Sequence, residues 1–456
     1  MHLTYRAELT GHGPDHVFAW HERPGALERL TPPWARVEVE HHDGGIRDGA
    51  RVVLRIHHGP ASFHWELRHK DFVEGRQFRD EQVSGPLKSW VHTHAFEPSG
   101  DGGTRATDEI DFEAPLGLPV GPGFVRNELD RLFAFRYRRL QTDLDRHAAY
   151  ADRSRLTVAI TGASGMVGTN LRHFLTTGGH RVLALVRRRD QVSEHAIHWN
   201  PDTGEIDAEG LAGADAVVHL AGASIAGGRW TDVRKRRIME SRKKATELLC
   251  RTLAEMRAGP RVLVSASAVG FYGNRGDERL DESAKPGDGF LAEVVKAWEA
   301  ATLPAERAGI RVVRLRTGVV ISPEGGALGQ MLLPFKLGVG GRLGSGRQYF
   351  SWIDMDDLVG VIHHALHEGS LRGAVNATAP HPVTNAAFTD ALGRVLGRPT
   401  VLPVPSLAVK AAFGQLGEEA LLWGQRVIPA RLQGAGFDFA YEGVEDSLRF
   451  QLGRAV

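Results

Sequence analysis

Cysteine is nearly missing: Cys250 stands alone among 456 residues, which excludes an internal disulfide framework and a multi-cysteine zinc site. A single thiol suits a reducing compartment, so the cytoplasm is the expected location. Excess charge of either sign is also missing. Lys and Arg number 56 against 55 Asp and Glu, a formal net charge of +1, and both signs are spread along the chain. Without a basic stripe there is no footprint for a phosphate backbone, and nucleic acid is not an expected partner. No apolar run approaches the roughly 20 residues needed to cross a bilayer. The opening MHLTYRAELTGHG has neither the basic nor the apolar region of a secretory signal, so no membrane association is expected. What the chain does have is length, about three times that of a usual domain, so more than one hydrophobic core is expected.

The pattern changes near residue 150. Before it, short alternating runs predict strands: Val52, Leu54 and Ile56 share one face, as do Phe63, Trp65 and Leu67, and Trp90 to Phe96 alternates likewise. Pro14 opens a short helix. A longer one closes the region, because Val125, Leu129, Leu132, Phe133, Tyr137, Leu140 and Leu144 form one apolar stripe at helical spacing. This order of elements, with ERPGALERLTPPW after the first helix and SWVHTHAF in a late strand, resembles the START-like (SRPBCC) superfamily. The resemblance covers residues 1–150 and implies an α+β helix-grip domain whose cavity takes an apolar small molecule. His92 and His94, two apart on a strand, point to one face. The sequence places no third ligand beside them, so they are expected as ordinary polar sheet positions, with no metal.

After Ser154 apolar strands alternate with helical patterns and glycine turns. Leu156 to Thr161 reads as a buried strand, followed at once by Gly162, Ala163, Ser164, Gly165, Met166, Val167 and Gly168, with a helix beyond. A glycine triplet between strand and helix lets the backbone turn tightly, approach a diphosphate and offer it the helix's first N–H groups. The next strand ends in Arg187, Arg188 and Arg189, where a site for NAD would place an acid on the ribose hydroxyls. Guanidinium groups there favour a 2′-phosphate, hence NADP. Downstream, Ala216 to Gly222 is another buried strand whose small-residue turn, Leu220, Ala221 and Gly222, is expected to lie against the cofactor.

The glycine turn, His219 to Gly222, the Ser265-Ala266-Ser267-Ala268 run before Tyr272, and Trp352 to Asp357 together resemble an extended short-chain dehydrogenase/reductase. The stretch RTGVVISPEGGALGQMLLPFKLGVGGRLGSGRQYFSWIDMDD resembles more closely the atypical branch of nucleoside-diphosphate-sugar epimerases. The resemblance implies a doubly wound Rossmann domain with a parallel sheet over residues 154–400, and a small C-terminal domain over 401–456. It also implies Ser265 beside the cofactor and Ser267 on a substrate carbonyl or hydroxyl. Arg242 takes the place of the usual Asn, a substitution this branch shows. The superfamily's catalytic Tyr and Lys, four residues apart on one helix, are missing. Anchoring on Glu299 puts Leu291 and Val295 at their positions, and apolar side chains exchange no protons. Tyr272, Arg242 or a bound water is then the candidate for the proton, and Trp230, Arg347 and Trp352 are those for the substrate. Asp354, Asp356 and Asp357 are expected to cap a helix. The implied function is an NADP-dependent oxidoreductase or epimerase-like enzyme acting on a small molecule. The alternatives are a non-catalytic NADP(H)-binding regulator and a carrier or sensor of an apolar ligand.

Overall fold

Period-two alternation in the first part of the chain becomes a seven-stranded antiparallel sheet: β1 (His2–Leu9), β2 (Arg36–His42), β3 (Arg51–His58), β4 (Ala61–Val73), β5 (Gln77–Ser84), β6 (Ser89–Pro98) and β7 (Thr104–Glu113). The computed structural model describes residues 1–43, 45–59, 61–100, 102–113 and 122–454. They divide into two compact units, one comprising Met1–Asp152, His173–Gly179 and Phe450–Val456, the other Arg153–Arg172 and His180–Arg449. In the first unit the strands lie in the order β1-β7-β6-β5-β4-β3-β2. The helix Pro122–Ala148 turns its predicted stripe toward them. Leu129 and Phe133 pack with Val52, Leu54, Leu67, Trp90 and Ile110, while Leu140 and Leu144 pack with Leu9, Phe18, Phe78 and Phe96. This is the helix-grip arrangement, held by burial of one face of each element.

The inner face of β6 departs from expectation. Trp90, His92, His94 and Phe96 alternate inward together, so the two histidines stand among core side chains and not at ordinary polar sheet positions. The alternation itself requires this: with Trp90 and Phe96 fixed in the core, the residues between them at period two must follow.

In the second unit the central sheet runs, from edge to edge, Glu205–Ile206, Ala196–Asn200, Arg181–Val186, Thr157–Thr161, Ala216–His219, Val262–Ala268, Arg311–Thr317 and Gly373–Ala377. The first of these is an antiparallel hairpin partner, and the other seven are parallel. Strands buried on both faces read as continuous apolar runs, as Val158-Ala159-Ile160 and Ala216-Val217-Val218 do. Strand order reverses between Thr157–Thr161 and Ala216–His219, which opens a crevice at their carboxyl ends. Cys250 is buried beneath this sheet with Leu249, Leu253 and Leu263, and burial pushes its thiol up to about 12, so it is a packing residue. Among the described residues no helix is long and apolar enough to cross a membrane.

Candidate functional site

The crevice is lined first by the glycine turn. Gly162 leaves the strand at φ +69°, and a Cβ there would come within 3.1 Å of the Leu220 carbonyl carbon and the Ala221 nitrogen. The Leu220–Gly222 turn therefore presses directly on it, as expected of a flat small-residue surface. A Cβ on Gly168 would sit 2.2 Å from the Gly162 carbonyl oxygen, so the third glycine lets the helix Met166–Thr177 close on the turn. Ser164 and Gly165 are exposed, with Met166 and Val167 half-buried behind them, so the amide end of this helix is open to a ligand.

Behind the turn lies a rigid polar wire. Thr161 Oγ1 accepts from the backbone N–H groups of Leu220 (3.1 Å) and Ala221 (3.2 Å) and hydrogen-bonds to His219 Nδ1 at 2.8 Å. His219 Nε2 reaches Thr246 Oγ1 at 2.9 Å. Burial lowers the His219 pKa to about 3, so the ring is neutral in the fold. An unfolded histidine titrates near about 6.5, so the stability this neutral ring contributes is fully present above that pH and is lost as pH falls toward 3. Unfolding free energy should therefore drop by about 2 kcal/mol from this group alone between pH about 6.5 and about 5. Denaturant titrations should show a shallower acid slope in His219→Gln; an unchanged slope would remove His219 from the acid response.

At the end of the neighbouring strand the three arginines differ. Arg188 pairs with Asp190, and Arg189 Nη2 reaches Glu205 at 3.1 Å. Arg187 is exposed and has no carboxylate partner among the described residues.

On the strand Val262–Ala268, Ser265 pairs in register with His219 and is buried. Ser267, also buried, donates its hydroxyl to Glu299 Oε1 at 2.7 Å. Glu299 is in turn gripped by Arg316 through two bonds of 2.8 and 2.9 Å. The Arg316 guanidinium lies 3.4 Å from the Phe271 ring centroid and donates to the Tyr272 hydroxyl at 3.1 Å. Tyr272 does not stand free for proton transfer as expected. It is fully buried, and its hydroxyl donates to Asn376 Oδ1 at 2.7 Å and lies 3.1 Å from the Asp281 carbonyl oxygen. Burial raises its pKa, so it stays a phenol. Sequence reasoning used Glu299 only as an anchor and missed Arg316 and Asn376. The strand Arg311–Thr317 carries Arg311 and Arg314 as well, so its sequence does not single out Arg316.

The helix Phe290–Ala300 explains the missing pair. Val295 packs with Phe271, Tyr272, Leu280 and Val427, and Leu291 with Trp230, Ile238, Val294 and Leu416. The positions that elsewhere exchange protons are here structural. The N-cap of this helix, Gly289, has no side chain to bond its first amides. Glu419 does so from the C-terminal segment, accepting from Phe290 N at 3.1 Å and Leu291 N at 2.9 Å.

Arg242 lies over the Leu220–Gly222 turn. A Cβ on Gly222 would fall 3.3 Å from its Cζ, and Nη1 donates to the Ala223 carbonyl at 3.0 Å and the Ile238 carbonyl at 3.2 Å. Burial lowers its pKa to about 10, which leaves it charged near neutrality, and among the described residues no carboxylate pairs with it. Next to it Ala223, Ser224, Arg234, Arg237 and Ile238 line a cavity of about 230 Å³. Two of the predicted substrate residues are packing residues. Trp352 is fully buried, its indole donating to the His381 carbonyl at 3.2 Å, because its strand Trp352–Asp354 is sealed on every face. Trp230 is buried against Phe290 with its indole on the Ile225 carbonyl at 2.9 Å. Arg347 is exposed. Asp354 caps the helix Met355–His367, accepting from Asp356 N at 2.8 Å, as the capping reading expects.

Residues 158–377 match the profile of the NAD dependent epimerase/dehydratase family, residues 404–451 a domain of unknown function, and residues 10–136 polyketide cyclase / dehydrase and lipid transport. An epimerase family protein of Mycobacterium bovis is 48% identical over 293 residues, covering 64% of this chain and 96% of the relative. A solved nucleoside-diphosphate sugar epimerase from Corynebacterium glutamicum is similar along almost the whole length, at 35% identity and TM-score 0.83, over 99% of this chain and 90% of that one. The human epimerase family protein SDR39U1, solved with NADPH, is 34% identical with TM-score 0.58 over 65% of this chain and 99% of its own.

Proposed function

Because the chain belongs to the NAD dependent epimerase/dehydratase family, joined to an N-terminal helix-grip domain, we propose that it is an NADP(H)-dependent oxidoreductase or epimerase-like enzyme acting on a small molecule. The observation that carries this reading is that the carboxyl ends of the parallel strands present an exposed glycine turn, an Arg187 with no carboxylate partner among the described residues, and Ser267 held by Glu299. The residues fit the cofactor. Backbone from Gly162 to Gly168 would hold the diphosphate, Arg187 the 2′-phosphate, and the Leu220–Gly222 turn with Ser265 the remainder. When bound, NADP(H) supplies hydride acceptance or donation.

Since Ser267 gives its only proton to Glu299, its oxygen faces a substrate as an acceptor and would orient a hydroxyl. A proton leaving that hydroxyl has a path through Ser267 Oγ to the Glu299 carboxylate, in place of the missing Tyr and Lys. Arg242 and the cationic cavity beside it favour a substrate bearing a phosphate or carboxylate. The fully engaged Tyr272 and apolar Leu291 and Val295 favour a second reading, an NADP(H)-binding regulator without turnover.

Calorimetry should find NADPH bound more tightly than NADH, and Arg187→Ala should weaken NADPH by about tenfold, or about 1.4 kcal/mol, without affecting NADH. Equal loss for both coenzymes would remove Arg187 from the phosphate. A panel of phosphorylated or carboxylated alcohols and ketones, followed by reduced-nicotinamide absorbance, decides between enzyme and regulator: turnover abolished in Ser267→Ala supports the first, and tight binding with no turnover supports the second.

A further inference from the structure

On the inner face of the N-terminal sheet, β5, β6 and β7 place two carboxylates around two imidazoles. Asp80 lies opposite His92 in register, and His94 lies opposite Asp108. Asp80, His92 and Asp108 are each less than a tenth exposed, and His94 is close to that. The four groups form a closed ring of contacts that fall into two classes. Asp108 Oδ1 is 2.9 Å from His92 Nε2 and 2.7 Å from His94 Nδ1, ordinary hydrogen bonds. Asp80 Oδ2 is 3.3 Å from His92 Nδ1 and 3.3 Å from His94 Nε2, equal and longer.

A neutral imidazole has one N–H. Without a cation the two carboxylates hold His92 protonated, up to about 9, and His94 Nε2 bonds to Asp80; when each ring keeps only the N–H it gives to Asp108, His92 Nδ1 and His94 Nε2 turn lone pairs toward Asp80 Oδ2. Three lone pairs meeting in a buried space require positive charge between them, and a cation supplies it by displacing the ring protons. The three ligand atoms lie within 4.8 Å of one another. A tetrahedral cation with bonds of about 2.0–2.1 Å separates its ligand atoms by about 3.3–3.4 Å. An octahedral ion with similar bonds would bring neighbours to about 2.9 Å. The two edges that meet at Asp80 Oδ2, 3.3 Å each, equal the tetrahedral separation, and the third edge is within 4.8 Å.

The surroundings are those of a metal's supporting shell. Asp108 fixes both histidine tautomers, and its other oxygen accepts from the Tyr137 hydroxyl at 2.5 Å. Trp90 Nε1 donates to Asp80 Oδ1 at 3.1 Å, which leaves Oδ2 as the single ligand oxygen. His69, opposite Asp80 on β4, keeps a buried Nδ1 without a partner.

We propose that Asp80, His92 and His94 bind one divalent zinc-type cation inside the N-terminal domain, with Asp108 and Tyr137 as its outer support. Three protein ligands leave a tetrahedral ion one position for water or for an oxygen atom of a bound molecule. This assigns the N-terminal domain a metal-anchored ligand site of its own.

The test uses the full chain, stripped with a chelator and shown folded by circular dichroism, then titrated with Zn²⁺ and with Co²⁺. Wild type is expected to bind Zn²⁺ at micromolar concentration or tighter and to give the visible bands of four-coordinate cobalt. His94→Gln and Asp80→Asn, near-isosteric changes, should each bind one cation fewer than wild type. Should a variant fail to fold, zinc-edge X-ray absorption of the wild type decides, with two imidazoles and an oxygen donor at about 2.0–2.1 Å expected. Folded wild type without the cobalt bands, variants with unchanged stoichiometry, or rings shown doubly protonated by nitrogen NMR with Zn²⁺ present would each overturn the site.

Discussion

Gly168→Ala is expected to weaken NADP(H) binding by about a hundredfold, or about 2.8 kcal/mol. The added methyl would lie 2.2 Å from the Gly162 carbonyl oxygen and 2.8 Å from the Ala163 Cα, both backbone atoms that cannot rotate away. The start of the helix Met166–Thr177 must then move off the turn, and the amide groups that would grip the diphosphate move with it. Gly165→Ala provides the contrast. Its methyl would meet only the Gly162 oxygen, at 3.3 Å, so the fold should hold its melting temperature while the methyl stands on the exposed, ligand-facing side. Calorimetric titration of both variants separates a displaced helix from a blocked approach. Affinity within about threefold of wild type in Gly168→Ala would mean that the turn is not the grip.

Glu299→Ala should cost about 3–5 kcal/mol of stability, because it strips the buried Arg316 guanidinium of both its bidentate bonds. The Tyr272 contact and the Phe271 ring remain, but neither carries the compensating charge. Glu299→Gln keeps the shape and one acceptor oxygen and should cost less. Urea unfolding of the two variants beside Ser267→Ala tests the network: Ser267→Ala removes one neutral donor and should cost about 1 kcal/mol. If Glu299→Ala were no more damaging than Ser267→Ala, the ion pair would not be the scaffold that holds the serine. Under the proposed chemistry Glu299→Gln should also reduce turnover while folding well, since an amide cannot receive the proton that a carboxylate can.

Much of the architecture was legible because it is written at short range. The stripe from Val125 to Leu144 has the helical period, Trp90 to Phe96 has the strand period, and the turn at Gly162 sits between a buried strand and a helix. In each case residues within about one turn or one strand of each other settle the matter. The same holds for Asp354, whose cap reaches two residues along the chain. Trp230 and Trp352 were harder, because an aromatic residue near a site and one beneath it have the same local surroundings in sequence.

What the sequence alone determined, then, was the pair of folds, the nucleotide turn, the cationic strand end and the lack of a Tyr and Lys pair. Tertiary structure decided which arginine is free, what Ser267 faces, and which way His92 and His94 point. Asp190 takes Arg188 and Glu205 takes Arg189, leaving Arg187. Ser267 finds Glu299 at a separation of 32 residues, and His92 meets Asp108 across 16. The physical reason is that a side chain's partner is chosen by which strands lie side by side and in what register. That choice belongs to the sheet as a whole and to no single segment of it.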